Sequence, residues 1–192
     1  FQTKSAKGVT KIGDFAVSNC TNLKYIVIPD TVTDIGSDAF YNCSNMTNIK
    51  LSKKIKQISY EMFHSCRALV ELNIPEGVTY IGAGGIANCS ALKKLVIPSS
   101  VNYIEVDFFT SNVDEIEIAT DNPKYIVSND AIYSKDKKIL YMYFSKGSEV
   151  ILEDGVTTIG PKAFKNARAS IIKLPQSVKE LSAYAIYTSY VK

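Results

Sequence analysis

A mostly-β solenoid of short coils stacked along one axis is the fold predicted by three observations. A 23-residue period is held without a gap over four blocks. Apolar residues recur in register at fixed columns of that period. Each block closes on a two-residue alternation that marks one short strand per coil.

The blocks run Val9 to Thr31, Val32 to Lys54, Ile55 to Gly77 and Val78 to Ser100. Their first column is Val9, Val32, Ile55 and Val78, continued by Val101, Val156 and Val178. The fourth is Ile12, Ile35, Ile58, Ile81, Ile104, Ile159 and Leu181. The next holds Gly13, Gly36, Gly82 and Gly160, with Ser59, Glu105 and Ser182 as departures, which predicts an unusual backbone angle there. Val17, Phe40, Phe63, Ile86, Phe109, Phe164 and Ile186 follow in one column, then the pairs Asn19-Cys20, Asn42-Cys43, Ser65-Cys66 and Asn88-Cys89.

Each full block ends on Leu-x-x-Ile-x-Ile-Pro or a close variant, as in Leu23, Ile26, Ile28 and Pro29, with Met46, Ile49, Leu51 and Ser52 in the second block. Period two predicts a strand with one buried face, and Pro ends it. One strand per coil gives a parallel sheet on one face of the coils. The Val-x-x-Ile-Gly-x-x-Ala-Phe half has neither helical nor strand periodicity and predicts a turning return path, with room for a second short strand. A lone coil cannot cover its own apolar columns, so stability must come from stacking on its neighbours.

With 46% hydrophobic and 21% charged residues the chain should fold throughout. Its 22 basic and 19 acidic residues leave a formal charge of +3, which commits it to neither nucleic acid nor an anionic membrane. No apolar run approaches the roughly 20 residues of a membrane span, and no secretory leader is visible. The start at Phe1 and the end at Lys192, part-way through a repeat, suggest a piece of a longer protein.

The stretch Ile28-Pro-Asp-Thr-Val-Thr-Asp-Ile-Gly-Ser-Asp-Ala-Phe-Tyr-Asn-Cys43 resembles the BspA-like class of leucine-rich repeats almost letter for letter. The likeness covers residues 9 to 192 apart from one interruption. It implies a curved right-handed solenoid in a secreted or cell-surface bacterial protein, used for adhesion or for binding host proteins. The organisation expected is a single leucine-rich-repeat domain over 1–192, with regular repeats at 9–100, a degenerate repeat at 101–121, a β-hairpin insertion at 122–150 and repeats again at 151–192.

The interruption begins where Asn112 takes the Cys position and Ile116-Glu-Ile118 serves as the strand. Asn122-Pro-Lys-Tyr125 to Tyr133, Ser134 to Lys138, and Ile139 to Phe144 then read as strand, polar turn, strand. The same family often carries an Asn-Pro-x-Tyr plus Asp-Gly insert of this kind. Here Asp130-Ala131 replaces Asp-Gly.

Chemistry-bearing residues give no catalytic or metal site. Cys20, Cys43, Cys66 and Cys89 lie one repeat apart, a spacing that stacks them on one edge without the local partner of a metal knuckle. Buried small thiols at a turn account for them. Asn19, Asn42, Asn88 and Asn45 each begin a glycosylation sequon, but three recur at one repeat position, where Asn side chains would satisfy turn backbone groups. His64, the one histidine, shares a variable column with Ser18, Tyr41, Ala87 and Thr110 and reads as a turn or surface residue. No nucleophile elbow, phosphate loop or metalloprotease motif is present, so no enzyme and no cofactor is expected. Glu105, Asp107, Asp114, Glu115, Glu117 and Asp121 form an acidic stretch, and Lys50, Lys53, Lys54 and Lys56 a basic one. Both suit solvated faces, with a cation site or charged docking patch as the alternative.

Binding is expected on the outward positions of the strands: Tyr25 and Val27, Asn48 and Lys50, Glu71 and Asn73, Lys94 and Val96, Glu115 and Glu117, Ile171 and Lys173. The second candidate is the hairpin, where Tyr125, Tyr133, Tyr141, Tyr143 and Phe144 concentrate aromatic rings, against the alternative that half of them face inward. The expected partner is a host or matrix protein or a glycan. The alternative is a structural spacer in a longer surface protein, unless Tyr184, Tyr187 and Tyr190 fold over the last coil as a cap.

Overall fold

The computed structural model describes residues 8–109 and 113–187, so Thr110, Asn112 and Tyr190 lie outside the described residues. Those residues contain strands and turns and no α-helix. Where the sequence predicts one continuous domain, contacts group the chain into two compact units, one through Asn122 and one from Pro123.

The first unit holds β1 (Lys11–Ile12), β2 (Tyr25–Val27), β3 (Asp34–Ile35), β4 (Asn48–Lys50), β5 (Gln57–Ile58), β6 (Tyr80–Ile81), β7 (Lys94–Ile97), β8 (Tyr103–Ile104) and β9 (Glu115–Ile118). All pairing in it is parallel and in repeat register, with Ile26 beside Ile49 and Leu95 beside Ile116. The Leu-x-x-Ile-x-Ile strands pair as β2 with β4 and β7 with β9, and the third coil contributes a single bridge from Asn73 to Val96. The return path adds a second ladder, with β1 on β3 and β5, β6 and β8 in sequence. Strand pairing therefore joins neighbouring coils on two sides, except between the second and third coils, where no strands pair among the described residues.

A third side is laddered through turns. Phe15, Val17 and Asn19 donate their amides to Ser37, Ala39 and Tyr41 of the next coil, and Asp38, Phe40 and Asn42 do the same to Tyr60, Met62 and His64. Two corners per coil make this possible, each with a residue of positive φ. One is Phe15, Asp38, Glu61, Gly84 and Asp107; the other is Asn19, Asn42, Ser65 and Asn88, at φ between 53° and 63°. Asn is among the few side chains that tolerate this region, which is why it recurs before Cys.

The glycine column has a different cause from the one the sequence suggests. None of Gly13, Gly36, Gly82 and Gly160 has positive φ. Gly36, Gly82 and Gly160 are needed where backbone passes backbone: a Cβ on Gly82 would sit 2.9 Å from Tyr60 N, and one on Gly160 would sit 2.8 Å from Leu140 O, whereas Gly13, in the first block, has open space. Each amide there donates to the coil before it, Gly82 to Ile58 O and Gly160 to Leu140 O, both at 2.8 Å. In the third coil Ser59 stands in this column, and its hydroxyl donates to Ile35 O at 2.5 Å.

Pro29, Pro75 and Pro98 end their strands and close the coil, because their carbonyls accept the amides of Val32, Val78 and Val101. The second coil has Ser52 instead, whose hydroxyl donates to Val32 O. Inside, like stacks on like. Phe40 and Phe63 lie 5.6 Å apart and nearly parallel, with Ile35, Ile58 and Ile81, and Met46, Leu69 and Leu92, in neighbouring columns, all buried. Each fully buried side chain of this size contributes about 1.5–3 kcal/mol, and only in the presence of the adjacent coil.

The second unit holds β10 (Tyr125–Ser128), β11 (Ala131–Ser134), β12 (Ile139–Tyr143), β13 (Glu149–Ile151), β14 (Thr158–Ile159), β15 (Ile171–Lys173) and β16 (Glu180–Leu181). The expected single hairpin is a three-stranded antiparallel meander, β10-β11-β12. The overlooked turn is Asn129-Asp130, where Ser128 faces Ala131 and both central residues have positive φ. This is the two-residue turn whose twist suits a hairpin, and Asn-Asp fills it in place of a glycine-containing pair. The second turn falls at 134–138 as predicted, held by the Asp136 carboxylate, which accepts from Ser134 Oγ and Lys138 N.

The insertion is also shorter than 122–150. β12 pairs in parallel with β14, placing Leu140 beside Ile159, which lies in turn beside Leu181 of β16, and β13 pairs with β15. Residues 139–151 thus supply both strands of a solenoid coil, and the meander grows out of that coil through its first strand.

Candidate binding surface

The alternation of the first-unit strands turns Ile49, Leu72, Leu95 and Ile116 inward and buries them. Their neighbours Tyr25, Val27, Asn48, Lys50, Glu71, Asn73, Lys94, Val96, Glu115 and Glu117 are all exposed on the other face. In the second unit Ile171 and Lys173 are exposed likewise. Ile151, 65% exposed, belongs with them and was overlooked, as was Glu149, whose carboxylate pairs with Lys173 Nζ at 2.5 Å. The signal was present as Val150-x-Leu152, both buried, but the frame is shortened here and the match to the long repeat fails.

Charge on the first-unit face is organised at its last two coils. Lys94 Nζ lies 2.6 Å from Glu117 and 3.5 Å from Glu115, and Lys93 lies 3.9 Å from Asp114. Hydrogen bonding to Glu117 raises the Lys94 pKa, and Lys94 in turn lowers that of Glu117. The acidic stretch is divided by the fold: Glu115 and Glu117 take Lys94, while Glu105, on the return path, accepts the Tyr80 hydroxyl at 3.1 Å. Among the described residues no group of His, Cys, Asp and Glu side chains could hold a metal ion.

The hairpin aromatics need correction as contact residues. Tyr125 on β10, Tyr133 on β11, Tyr143 on β12 and Phe144 after it are buried, and Tyr133 and Tyr143 share one core with Leu140, Ile159 and Phe164. Tyr143 packs 5.9 Å from Phe164, and burial pushes the Tyr133 hydroxyl up to about 12. Tyr141 alone of the candidates is exposed, at 41%, with its ring edge-on to Tyr125 at 5.3 Å. A residue not singled out in the sequence fastens the meander. The Glu153 carboxylate accepts from Ser128 Oγ at 2.6 Å, Asn129 Nδ2 at 3.0 Å and Lys137 Nζ at 2.7 Å, and the Lys137 bond holds its pKa below the ordinary glutamate value.

The remaining motif residues are structural. All four cysteines are described and none forms a disulfide. Cys43, Cys66 and Cys89 are buried and donate their thiols to Val17 O, Phe40 O and Phe63 O of the preceding coil at 3.1–3.2 Å. Burial pushes Cys43 up to about 11 and Cys89 up to about 12, and raises Cys66 further still, so these thiols are inert donors. Asn42 Nδ2 donates to Asn19 Oδ1 at 2.9 Å, so these two Asn side chains bond to each other along the column. His64 stacks on Tyr41 at 5.2 Å, with Nε2 facing Asn88 Nδ2 and Nδ1 facing Ser65 Oγ, each at 3.1 Å. Tyr184 and Tyr187 are exposed and meet edge to face at 5.9 Å.

Short parallel strands, Leu/Ile columns and an Asn-Cys corner define the class of leucine-rich-repeat proteins. The chain belongs to one family of that class: residues 2–117 and 131–192 match the BspA type leucine-rich repeat region, in 6 copies. No curated protein sequence matches this chain. Among solved structures it is similar to a leucine-rich repeat protein from Eubacterium ventriosum, at 24% identity and TM-score 0.73, over 94% of this chain and 49% of that one. It is similar to the pneumococcal vaccine antigen PcpA at 18% identity and TM-score 0.73, over 93% and 53% of the two chains. A leucine rich cell surface protein from Faecalibacterium prausnitzii aligns at 23% identity and TM-score 0.52, over 95% and 66%. At these identities the likeness shows the fold, and the chain spans about half the length of the first two.

Proposed function

We propose that this chain is a non-enzymatic recognition module of a bacterial surface or secreted protein, binding a host or matrix protein or a glycan through the outward face of its Leu-x-x-Ile-x-Ile sheet. One observation carries the proposal. In each strand the inward positions repeat the same apolar chemistry, while the outward ones are exposed, lie about 4.8 Å from coil to coil, and change chemistry at each step. A frame that fixes one side and leaves the other free is suited to displaying a contact surface. The surface location is supported by the family and by the cell-surface description of the Faecalibacterium relative. The test is a binding screen of the purified chain against extracellular-matrix proteins and a glycan array, repeated with Tyr25→Ser, Lys50→Glu and Glu117→Lys. Saturable binding weakened at least about tenfold by these exposed changes, with the fold intact by circular dichroism, is the expected result. Binding that all three variants retain would move the site off this face.

A further inference from the structure

Column three of the repeat, on the return-path ladder, faces solvent and is filled by ordinary surface residues in most coils: Lys11, Asp34 and Gln57 are exposed there. In the fourth and fifth coils it holds Tyr80 and Tyr103. Packing does not require an aromatic ring at a position where Lys and Asp serve equally. The two rings are nonetheless ordered, 5.8 Å apart and within 5° of parallel, and Tyr103 is 53% exposed. β8 is the outer strand of its three-stranded sheet, so no further strand of that sheet stacks on Tyr103 beyond Tyr80.

A carboxylate completes the arrangement. Tyr80 Oη donates to Glu105 Oε1 at 3.1 Å, which anchors the Glu105 carboxylate at the hydroxyl of one ring of the stacked pair. Burial and this bond raise the Tyr80 pKa, so the hydroxyl stays a donor. Among the described residues no cation pairs with Glu105. An exposed π-face beside an anchored carboxylate is complementary to a planar cation. A guanidinium can stack on the ring while its N–H groups donate to the carboxylate, whereas an ammonium can satisfy only the charge.

We propose that Tyr80, Tyr103 and Glu105 form a second contact site, separate from the Leu-x-x-Ile-x-Ile face, that receives an arginine side chain of a protein partner. The test is a titration of the isotope-labelled chain with N-acetylarginine amide, N-acetyllysine amide and N-acetylalanine amide, followed by amide chemical shifts. The arginine probe should shift Tyr80, Tyr103 and Glu105 saturably, more tightly than the lysine probe, and the alanine probe should not. Tyr103→Ser and Glu105→Gln should each weaken it about fivefold, and Glu117→Gln, on the other face, should not. Both residues are surface-exposed or half-buried, and the ladder bond here is made by the Glu105 backbone amide, so the variants keep the fold. No saturable shift at these residues, lysine equal to arginine, or two variants that bind like the parent would each overturn the proposal.

Discussion

Replacing Gly82 with Ala tests why glycine occupies its column. The added Cβ would lie 2.9 Å from Tyr60 N, 3.1 Å from Ser59 C and 3.2 Å from Ile58 O, all backbone atoms of the preceding coil that cannot swing aside. The coils must part by several tenths of an ångström, which costs about 1–3 kcal/mol as overpacking. The Gly82 N to Ile58 O bond, now 2.8 Å, is strained by the same movement and adds about 1 kcal/mol. Gly13→Ala is the control: it shares the column, and nothing lies within 4 Å of its Cβ. There the smaller entropy of the unfolded chain should stabilise by about 0.4–1 kcal/mol. Thermal and urea unfolding followed by circular dichroism should place Gly82→Ala roughly 4–16 °C below the parent, and Gly13→Ala at or slightly above it. Equal losses at both positions would refute the close-approach account. A Gly82→Ala variant as stable as the parent would show that the coils part without cost.

Three further outcomes follow from the same geometry. In the native protein a thiol reagent at neutral pH should label Cys20, the exposed cysteine, quickly, and Cys43, Cys66 and Cys89 only after denaturant is added, as read by mass spectrometry of the labelled peptides. Glu153→Gln should destabilise by about 1–2 kcal/mol at pH 7. Because the folded state lowers the Glu153 pKa, that contribution is present above the unfolded glutamate value and is lost as pH falls through the folded one, so parent and variant should converge in urea unfolding near pH 3. Asp38 behaves oppositely. It is buried beside Glu61 and Asp14, burial being the larger cause, and its pKa is raised, so ionisation opposes folding and stability is gained as pH falls through the folded value. Asn tolerates the same positive φ, and Asp38→Asn should unfold at higher urea than the parent at pH 7, with the difference shrinking below pH 4.

Much of this architecture was legible in the amino acids. Ile-x-Ile-Pro specified a strand and its end, because alternation and the missing proline amide are local properties. The inward columns could be named without coordinates, because equal spacing superimposes them whatever the shape of the coil. The strand-face candidates were legible for the same reason, being the complement of the buried columns. Glu149 and Ile151 were missed where the coil is shortened, since a fixed period cannot locate a residue once the period changes. Which of the hairpin aromatics face inward was not legible, because Ile139–Tyr143 looks like a free strand in sequence and is a coil strand in space.

The sequence by itself determined the solenoid, its repeat, its strands and its solvent-facing columns, all consequences of periodicity. Tertiary structure alone decided the rest, because the deciding atoms come from neighbouring coils, 16 to 26 residues apart: the glycines that let one backbone pass another, the thiols that donate to a carbonyl of the preceding coil, the Glu153 fastening of the meander, and the burial of Tyr133 and Tyr143. Residue type states what a side chain can do, and only the stacking of coils states which groups it meets.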